Sequence, residues 1–600
     1  MKKLISTLLI FCMLLTAIPF TCYAEETNNT EETYTFEYTK LTLDHKTDTL
    51  YVGVTAGSKS ISGRYFYHDH DDYHVYDEET KEWIHDYDKY KKMDEMMSQA
   101  KKVVIDEGIT CISRDFFHDL PNLKEVVLPS SLKEIGKFAF WNCPKLMSVY
   151  GKNVNKIGAG AFAKCTSIEY VEFPVLESLY YEKLENIYDD QTVDECYWAY
   201  PTRDEYVGIF QECSSLMDVN IPNLRKIGAK TFYKCTNLIS VNDNRLDNVS
   251  TVGRSAFYGC KDLETISLSS ITSLSSGYDF LADTKCEGVF GNCTSLKSVN
   301  IPNISYIGNG CFYGCTNLKK INSNNNLGYL YELGAYAFAG CKSLETITIK
   351  TGKLKSGKWY TFKKDAKWKE YSNATAGQGL ELMSFDHWLL VDRYKTAKTN
   401  YCGVFENCTN LKTVNLYNTT DIGSRAFLNC KNLQNVSISK ATNIGTNSFL
   451  NCKKLKKINL ANTKKIESQA FANCSNLQSV NIPKVKDIGV KSFISCTKLS
   501  TVKTGNNGKS IGNYAFYKCG SLKTFTIPKQ VTQIGVRSFA KCSKLKTINF
   551  RTTAFNTIGL DAFKLINKTP TFNLPKSKVK TYKRLIKPNA PSKAKFVGKF

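Results

Sequence analysis

One short segment of the sequence collects side chains that ligate metals. HDHDDYH at 68–74 places His68, His70 and His74 among three aspartates. Imidazole and carboxylate groups are ligands for divalent metals. The spacing matches no established zinc signature, and a local cluster lacks the closed ligand geometry that a metal site requires. The segment is therefore interpreted as an acidic, aromatic surface loop, and no metal or other cofactor is expected.

Residues for nucleophilic, phosphate-binding or glycosidic chemistry do not assemble into a motif. The sequence contains no G-x-S-x-G nucleophile elbow and no H-E-x-x-H zinc pair. GNNGKS at 505–510 imitates the end of a phosphate-binding loop, but Lys503 stands where the first glycine is required. Carboxylate pairs for glycan hydrolysis need proximity in space, so the acids between Glu182 and Asp190 stay open as candidates. Without an assembled site, the chain is predicted not to be an enzyme.

The cysteines indicate the elements that organise the chain. Fifteen of the 22 cysteines stand in one phrase, I-G-x-x-A-F-x-x-C-x-x-L-x-x-V, with a recurring step of 22 residues. Two copies are IGKFAFWNCPKLMSV at 135–149 and IGVRSFAKCSKLKTI at 534–548. Equivalent cysteines on adjacent coils would lie about 4.8 Å apart, which permits a disulfide, but their side chains would point the same way. They are interpreted as small apolar core residues.

Each copy of the phrase predicts one coil of a solenoid. In L-x-x-V-x-I, for example Leu411, Val414 and Leu416, the apolar side chains have the spacing of a short half-buried strand. The glycine after isoleucine permits a tight bend, and A-F provides an aromatic ring to fill the space between coils. A coil this thin needs neighbours on both sides to bury its apolar residues. The sequence predicts a repeat solenoid, a right-handed β-solenoid or horseshoe of about 17 coils, with one short parallel strand per coil.

The phrase resembles the BspA-type, or Treponema pallidum-type, leucine-rich repeats of exported bacterial proteins. It recurs in register fifteen times, and the match covers residues from about 105 to 575. The resemblance implies a leucine-rich-repeat fold and an elongated surface or secreted protein, often an adhesin for host matrix proteins, host cells or other bacteria. No binding residue of the family maps position by position onto this chain.

The beginning of the chain predicts export. Residues 1–24 have two lysines, an apolar stretch and small residues before a cleavage site after Ala24, which is the layout of a secretory signal peptide. No second apolar run of membrane-spanning length follows, so no transmembrane segment is expected. The expected location is secreted, extracellular or non-covalently associated with the cell surface.

Caps and inserts complete the predicted domain organisation. Residues 25–104 form an N-terminal cap, in which LTLDHKTDTLYVGV at 41–54 predicts a β-hairpin. The repeats occupy 105–569, and 570–600 form a basic C-terminal cap, because exposed solenoid ends need polar covers. The cysteine step lengthens to 48, 33 and 67 residues at three places. The predicted inserts are 180–206, 275–287 and 355–402, each of which follows the template isoleucine position, here Leu179, Leu274 and Leu354.

The inserts hold the candidate ligand-binding residues. Four of the six tryptophans lie in the first and third inserts. Aromatic residues on projecting loops anchor protein contacts and stack on flat or apolar ligand faces. The alternative is that the rings pack the inserts against the solenoid. The candidates are Tyr197, Trp198, Tyr200, Trp359, Tyr360, Trp368, Tyr371, Trp388, Tyr394 and Tyr401.

Each insert also has one cysteine, and these cysteines have nearby candidates for disulfide pairing. The possible bridges join Cys196 to Cys213, Cys286 to Cys293, and Cys402 to Cys408.

Composition and charge set the remaining expectations. Hydrophobic residues at 42% and charged residues at 23% exclude collagen-like, low-complexity and wholly disordered classes. Residues 401–600 hold 35 basic and 5 acidic side chains, whereas residues 25–100 hold 8 basic and 18 acidic ones. A basic field attracts anionic wall polymers, sulfated glycans or nucleic acid. The leading hypothesis is an adhesin that engages host or bacterial surface proteins or glycans. The alternative is a non-catalytic, wall-associated scaffold held by the basic C-terminal third.

Overall fold

The chain divides into two compact units, each of which is a stack of coils. The computed structural model describes residues 30–36, 38–55, 58–61, 75–77, 82–84, 87–179, 207–274, 287–351, 353–354, 357–361 and 398–600. The N-terminal unit comprises residues 1–272 and 292–303, and the C-terminal unit comprises residues 273–291 and 304–600.

Most coils contribute two short strands, each parallel to its equivalents in neighbouring coils. The first strand contains the template valine, as in Ser148–Tyr150, and pairs with Tyr170–Glu172 of the next coil. The second strand ends at the template isoleucine, as in Lys156–Ile157, and pairs with Glu134–Ile135. Val149 and Ile157 are both buried, so the two strands close opposite sides of one thin core. The predicted repeat solenoid is confirmed, and the second strand is an addition to the predicted coil.

The N-terminal unit has eight parallel first strands and seven second strands within its described residues. The first strands are Lys102–Ile105, Glu125–Val127, Ser148–Tyr150, Tyr170–Glu172, Asp218–Asn220, Ser240–Val241, Thr265–Ser267 and Ser298–Asn300. The second strands are Ser60–Ile61, Cys111–Ile112, Glu134–Ile135, Lys156–Ile157, Ser178–Leu179, Lys226–Ile227 and Thr251–Val252. A 3-10 turn, Asn242–Asn244, follows one first strand.

The C-terminal unit continues the same pattern through its described residues. Its first strands are Lys320–Ile321, Thr346–Ile349, Thr413–Leu416, Asn435–Ser437, Ser479–Ile482, Thr501–Thr504, Thr524–Ile527, Thr547–Phe550, Thr571–Leu574 and Lys595–Gly598, with Asn326–Leu327 paired beside Thr346–Ile349. Its second strands are Ser273–Leu274, Tyr306–Ile307, Glu332–Leu333, Lys353–Leu354, Asp421–Ile422, Asn443–Ile444, Lys465–Ile466, Asp487–Ile488, Ser510–Ile511, Gln533–Ile534 and Thr557–Ile558.

The segments at the two ends of the chain contain elements other than the first and second strands. Three antiparallel strands, Glu31–Phe36, Thr39–Asp44 and Thr49–Val54, open the N-terminal unit, and the third pairs in parallel with Lys102–Ile105. Residues 41–54, where a hairpin is expected, lie in the second and third of these strands. The other elements near the ends are the strands Val75–Asp77 and Glu82–Ile84, helix α1 (Tyr87–Gln99), helix α2 (Val579–Ile586) and the 3-10 turns Lys576–Lys578 and Lys587–Asn589.

Phenylalanine rings form a continuous stack inside each unit. In the N-terminal unit the stack runs from Phe117 to Phe257, with neighbouring centroids 5.0–5.8 Å apart. In the C-terminal unit it runs from Phe290 to Phe563, with spacings of 5.1–5.6 Å. These separations suit stacked aromatic pairs, so one ring per coil fills the space between coils.

The template cysteines are buried thiols beside this ring stack. Each donates its S–H to the phenylalanine carbonyl of the preceding coil, as in Cys474 to Phe449 at 3.1 Å. Burial raises the thiol pKa, and for Cys293, Cys408 and Cys542 it reaches about 12. The interpretation as core residues is confirmed, because cysteine here combines a small apolar side chain with a weak donor for a buried carbonyl.

The template glycine is required by close packing against the preceding coil. A Cβ atom placed on Gly158 would lie 2.4 Å from the backbone nitrogen of Lys137 in the preceding coil. Gly158 is absent from the positive-φ residues of the chain. The hydrogen atom of glycine therefore lets successive second strands and the turns after them approach closely.

Candidate functional site

The three inserts begin and end at equivalent positions of their coils. They follow the second strands that end at Leu179, Leu274 and Leu354, which are all buried. Each insert ends at a glycine that lies close to the backbone of the next coil. A Cβ atom added to Gly208 would lie 1.8 Å from the backbone oxygen of Lys230. The corresponding distances are 2.3 Å between Gly288 and Gly310, and 1.9 Å between Gly403 and Arg425. The shared entry and exit support the predicted common loop.

The coil core continues across the first and third inserts. Phe162 stacks on Phe210 at 5.6 Å although the first insert separates them in sequence. Phe338 stacks on Phe405 at 5.6 Å across the third insert, with an interplanar angle of 2°. The first and third inserts therefore leave the stacked core of their units intact.

A buried ion pair fixes the exit of the third insert. Oε1 and Oε2 of Glu406 face the guanidinium of Arg425 in the next coil, with Oε2 2.8 Å from Nε. Oε2 also accepts the backbone N–H of Gly403 at 3.1 Å. Glu406 is buried, and its hydrogen bonds raise the pKa of Arg425. Gln211 makes the corresponding bond to Gly208 at 3.4 Å in the first insert coil.

The base of the third insert is a two-stranded antiparallel ribbon, Gly357–Thr361 and Lys398–Cys402. Cys402 is buried against Ala335, Tyr336 and Ala339 of the preceding coil. The structure does not form the possible bridge between Cys402 and Cys408. The two other possible bridges involve Cys196 and Cys286, which lie outside the described residues.

The structure brings three of the predicted aromatic residues onto this ribbon. Trp359 lies opposite Asn400, Tyr360 lies opposite Thr399, and Tyr401 lies opposite Lys358 in the ladder. The other seven fall outside the described residues: Tyr197, Trp198, Tyr200, Trp368, Tyr371, Trp388 and Tyr394. The signal-peptide cleavage position, the 68–74 cluster and the acids between Glu182 and Asp190 also lie outside them.

Three exposed tyrosines were not predicted as candidates. Tyr329, Tyr331 and Tyr417 are 81%, 83% and 60% exposed in turns that follow first strands of the C-terminal unit. The signal for the first two is the segment GYLY at 328–331, which departs from the repeat phrase. They are exposed aromatic side chains outside the inserts.

The basic third of the chain carries a large uncompensated charge. Within residues 401–600, ion pairs engage only five of the 35 basic side chains: Lys412, Arg425, Lys465, Arg537 and Lys564. The remaining acids are also occupied, since Asp421 accepts from Asn443 and Asp487 accepts from Ser510. The lysines are therefore available to anionic partners.

Two further properties concern the part of the chain that the structure describes. No group of three or more His, Cys, Asp or Glu side chains there is arranged to hold a metal ion. No helix in those residues is long and apolar enough to cross a membrane.

Comparison with known proteins identifies the repeat. The profile of the BspA type leucine rich repeat region matches in six copies, over residues 95–189, 206–288, 284–386, 398–485 and 464–586. A search of curated proteins finds no match.

Similar solved structures include bacterial leucine-rich repeat proteins. One from Bacteroides ovatus is 20% identical, over 94% of this chain and 100% of that chain, with a TM-score of 0.38. A leucine rich cell surface protein from Faecalibacterium prausnitzii is 16% identical, over 88% and 94%, with a TM-score of 0.25. The T. pallidum leucine rich repeat protein is 16% identical, over 39% and 91%, with a TM-score of 0.24. Because the repeat profile matches along most of its length, the chain belongs to the BspA-type leucine-rich repeat family.

Proposed function

We propose that the chain is a secreted or cell-surface binding protein, an adhesin that engages a host or bacterial surface protein or glycan through its inserts. The observation that carries this proposal is the base of the third insert. A ribbon that contains Trp359, Tyr360 and Tyr401 lies next to an uninterrupted ring stack, and the residue after its second strand, Gly403, is bonded to Glu406, which pairs with Arg425. Binding residues act best when a rigid scaffold fixes the elements that carry them.

The proposed role is non-catalytic. A leucine-rich repeat stack supplies an extended surface rather than a pocket with an activated nucleophile. Its buried cysteines are poor nucleophiles, because burial raises their pKa and disfavours the thiolate. Export through the signal peptide and cleavage after Ala24 are part of the same proposal.

The test compares residues 25–600 with a variant in which the three inserts are cut back to the 22-residue coil. Both proteins are applied to a combined glycan and matrix-protein array at about 1 M salt, where the screening length is about 3 Å. Binding that survives salt and disappears with the inserts is expected. Salt-resistant binding that is unchanged by the trimming would contradict the proposal.

A second candidate function is a wall-associated structural scaffold held by charge. The observation that favours it is the small number of ion pairs among the basic side chains of residues 401–600. Retention by charge alone requires that binding to anionic wall polymers collapses between about 0.1 M and 1 M salt. A chain that shows only this salt-sensitive binding, with or without its inserts, is a scaffold and not an adhesin.

A further inference from the structure

A groove opens on the first-strand face of the C-terminal unit. Its volume is about 600 Å³, and it extends over five successive coils, from Asn415 to Lys503. The lining residues are Asn415, Asn435, Val436, Ser437, Ile438, Ser439, Lys457, Ile458, Asn459, Ser479, Val480, Asn481, Thr501 and Lys503.

The groove lies where the first-strand ladder is interrupted. The sheet that contains Asn435–Ser437 ends at that strand, and the next coil joins its successor only through a bridge from Lys457 to Ser479. Among these described residues no backbone hydrogen bond joins 434–438 to 456–460. Backbone N–H and C=O groups along the groove are therefore available to a ligand.

The rest of each coil remains closely stacked at this place. Asn443–Ile444 pairs with Lys465–Ile466 in the second-strand ladder. Phe427, Phe449 and Phe471 stack at 5.1 Å from ring to ring. The opening is thus confined to one face, and its walls belong to a continuous core.

The lining chemistry selects polar and anionic ligands. It contains amides, hydroxyls and two lysines, above a floor that includes Val436 and Ile458, and it contains no acid. Amide side chains both donate and accept hydrogen bonds, as a polyol requires, and Lys457 and Lys503 suit carboxylate or sulfate groups. No aromatic side chain lines the groove, so it offers no stacking platform for nucleobases.

The lining also repeats along the stack. One outward position of each coil is occupied in turn by Asn415, Ser437, Asn459, Asn481 and Lys503. The stacked rings of neighbouring coils lie 5.1 Å apart at this place, which is close to the length of one sugar unit in an extended polysaccharide. A glycan chain that runs along the stack can therefore meet one polar side chain per coil.

We propose that this groove binds an extended anionic glycan, with Asn459 and its equivalents bound to sugar hydroxyls and Lys457 and Lys503 bound to carboxylate or sulfate groups. None of the residues that line the groove belongs to an insert, so this proposal goes beyond the proposed function and does not rest on it. The insert-trimmed chain is expected to bind the glycan as the intact chain does.

The test uses matched substitutions in the full mature chain. Lys457→Ala removes a charge in the groove, whereas Lys453→Ala removes an exposed charge outside it. Asn459→Asp adds a negative charge while its Oδ1 still accepts the N–H of Ala461, and Asn506→Asp adds the same charge at an exposed position outside the groove. Thermal unfolding checks that the four variants fold equally well.

Titration calorimetry measures binding to a heparin-derived dodecasaccharide and to an oligogalacturonate of the same length. These arms distinguish sulfate from carboxylate as the anionic group, and binding of either supports the proposal. Maltododecaose is the neutral control, and polyglutamate is the polyanion without sugar.

Each groove substitution is expected to weaken glycan binding about tenfold, as loss of a charge-assisted hydrogen bond does. The two controls outside the groove are expected to bind like the unmodified chain. Equal loss from Lys453→Ala and Lys457→Ala, equal affinity for polyglutamate or maltododecaose, or no binding of either anionic glycan would overturn the proposal. If the insert-trimmed chain no longer binds the glycan, the claim that the groove binds it without the inserts is wrong.

Discussion

Oε2 of Glu406 lies 2.8 Å from Nε of Arg425, and Glu406 belongs to the coil that starts at the exit of the third insert, whereas Arg425 belongs to the next coil. The carboxylate is buried, and the guanidinium is 33% exposed. The pair joins the insert coil to the next coil at the point where the chain returns to the solenoid. It is therefore the contact that fixes the candidate binding element.

The first prediction concerns the loss of this pair. Arg425→Met leaves the buried Glu406 carboxylate without its cationic partner. The free energy of unfolding is expected to fall by about 1–3 kcal/mol in urea denaturation. Arg537→Met is the control, because Arg537 pairs with Asp561 at 3.2 Å on the surface and exposed pairs contribute little. Equal destabilisation by the two substitutions would contradict the assigned role.

A second prediction tests the close contact at the insert exit. A Cβ atom on Gly403 would lie 1.9 Å from the backbone oxygen of Arg425, so Gly403→Ala forces the two coils apart. The expected loss is about 1–3 kcal/mol, the usual cost of overpacking. Gly520→Ala is the matched control, because its nearest neighbour would be Ser543 Oγ at 3.7 Å. Unchanged stability of the Gly403→Ala variant would show that the contact is not required.

The buried thiols predict loss of stability in alkaline solution. Burial raises the pKa of Cys293, Cys408 and Cys542 from 9.0 to about 12. The unfolded chain therefore loses these thiol protons at lower pH than the folded chain. The stability that the protonated thiols give to the folded chain is complete below pH 9, and it is lost as the pH rises towards 12. Each such thiol lowers the free energy of unfolding by about 1.4 kcal/mol per pH unit in that window.

Denaturation at a series of pH values measures this decline. Cys408→Ala removes one of these thiols, so the free energy of unfolding of this variant is expected to fall less steeply with pH than that of the unmodified chain. A thiol reagent at neutral pH is expected to modify the fifteen template cysteines only after unfolding, since all of them are buried. Rapid modification of the native chain at these positions would contradict the account.

An asparagine stands before six of the fifteen template cysteines, and one of these asparagines supports another prediction. Asn451 has a φ of 64°, donates to Asn429 Oδ1 at 2.7 Å and accepts from Asn473 at 2.9 Å. Asn451→Ala is expected to destabilise the chain through both backbone strain and lost hydrogen bonds. Asn451→Gly keeps the φ angle accessible and is expected to cost less by about 1 kcal/mol. Thermal unfolding compares the two variants, and a more stable alanine variant would contradict this interpretation.

The repeat could be predicted from sequence because each coil places the same side chains at the same spacing. Phe427, Phe449 and Phe471 recur every 22 residues, and the structure stacks them directly. The second strand was not predicted, because two residues such as Lys465–Ile466 show no alternation. Its pairing becomes apparent only when neighbouring coils are stacked.

The candidate sites could be predicted from the sequence only in part. The position of the inserts follows from the lengthened steps, and Trp359, Tyr360 and Tyr401 prove to share one ribbon. The ion pair between Glu406 and Arg425 spans two coils, and it depends on side-chain orientation rather than on a motif. The groove beside Asn459 arises from an interruption of the ladder, for which the repeat phrase gives no signal.

The central claim is that the aromatic ribbon of the third insert carries specific binding. The most direct test is surface plasmon resonance against the strongest array ligand, at about 0.1 M and 1 M salt, with the mature chain and a Trp359→Ser, Tyr360→Ser, Tyr401→Ser variant. The intact chain is expected to keep its affinity at high salt, and the variant is expected to lose it at least tenfold, as for an interface hot spot. Equal binding by the variant, or loss of all binding at 1 M salt, would contradict the claim.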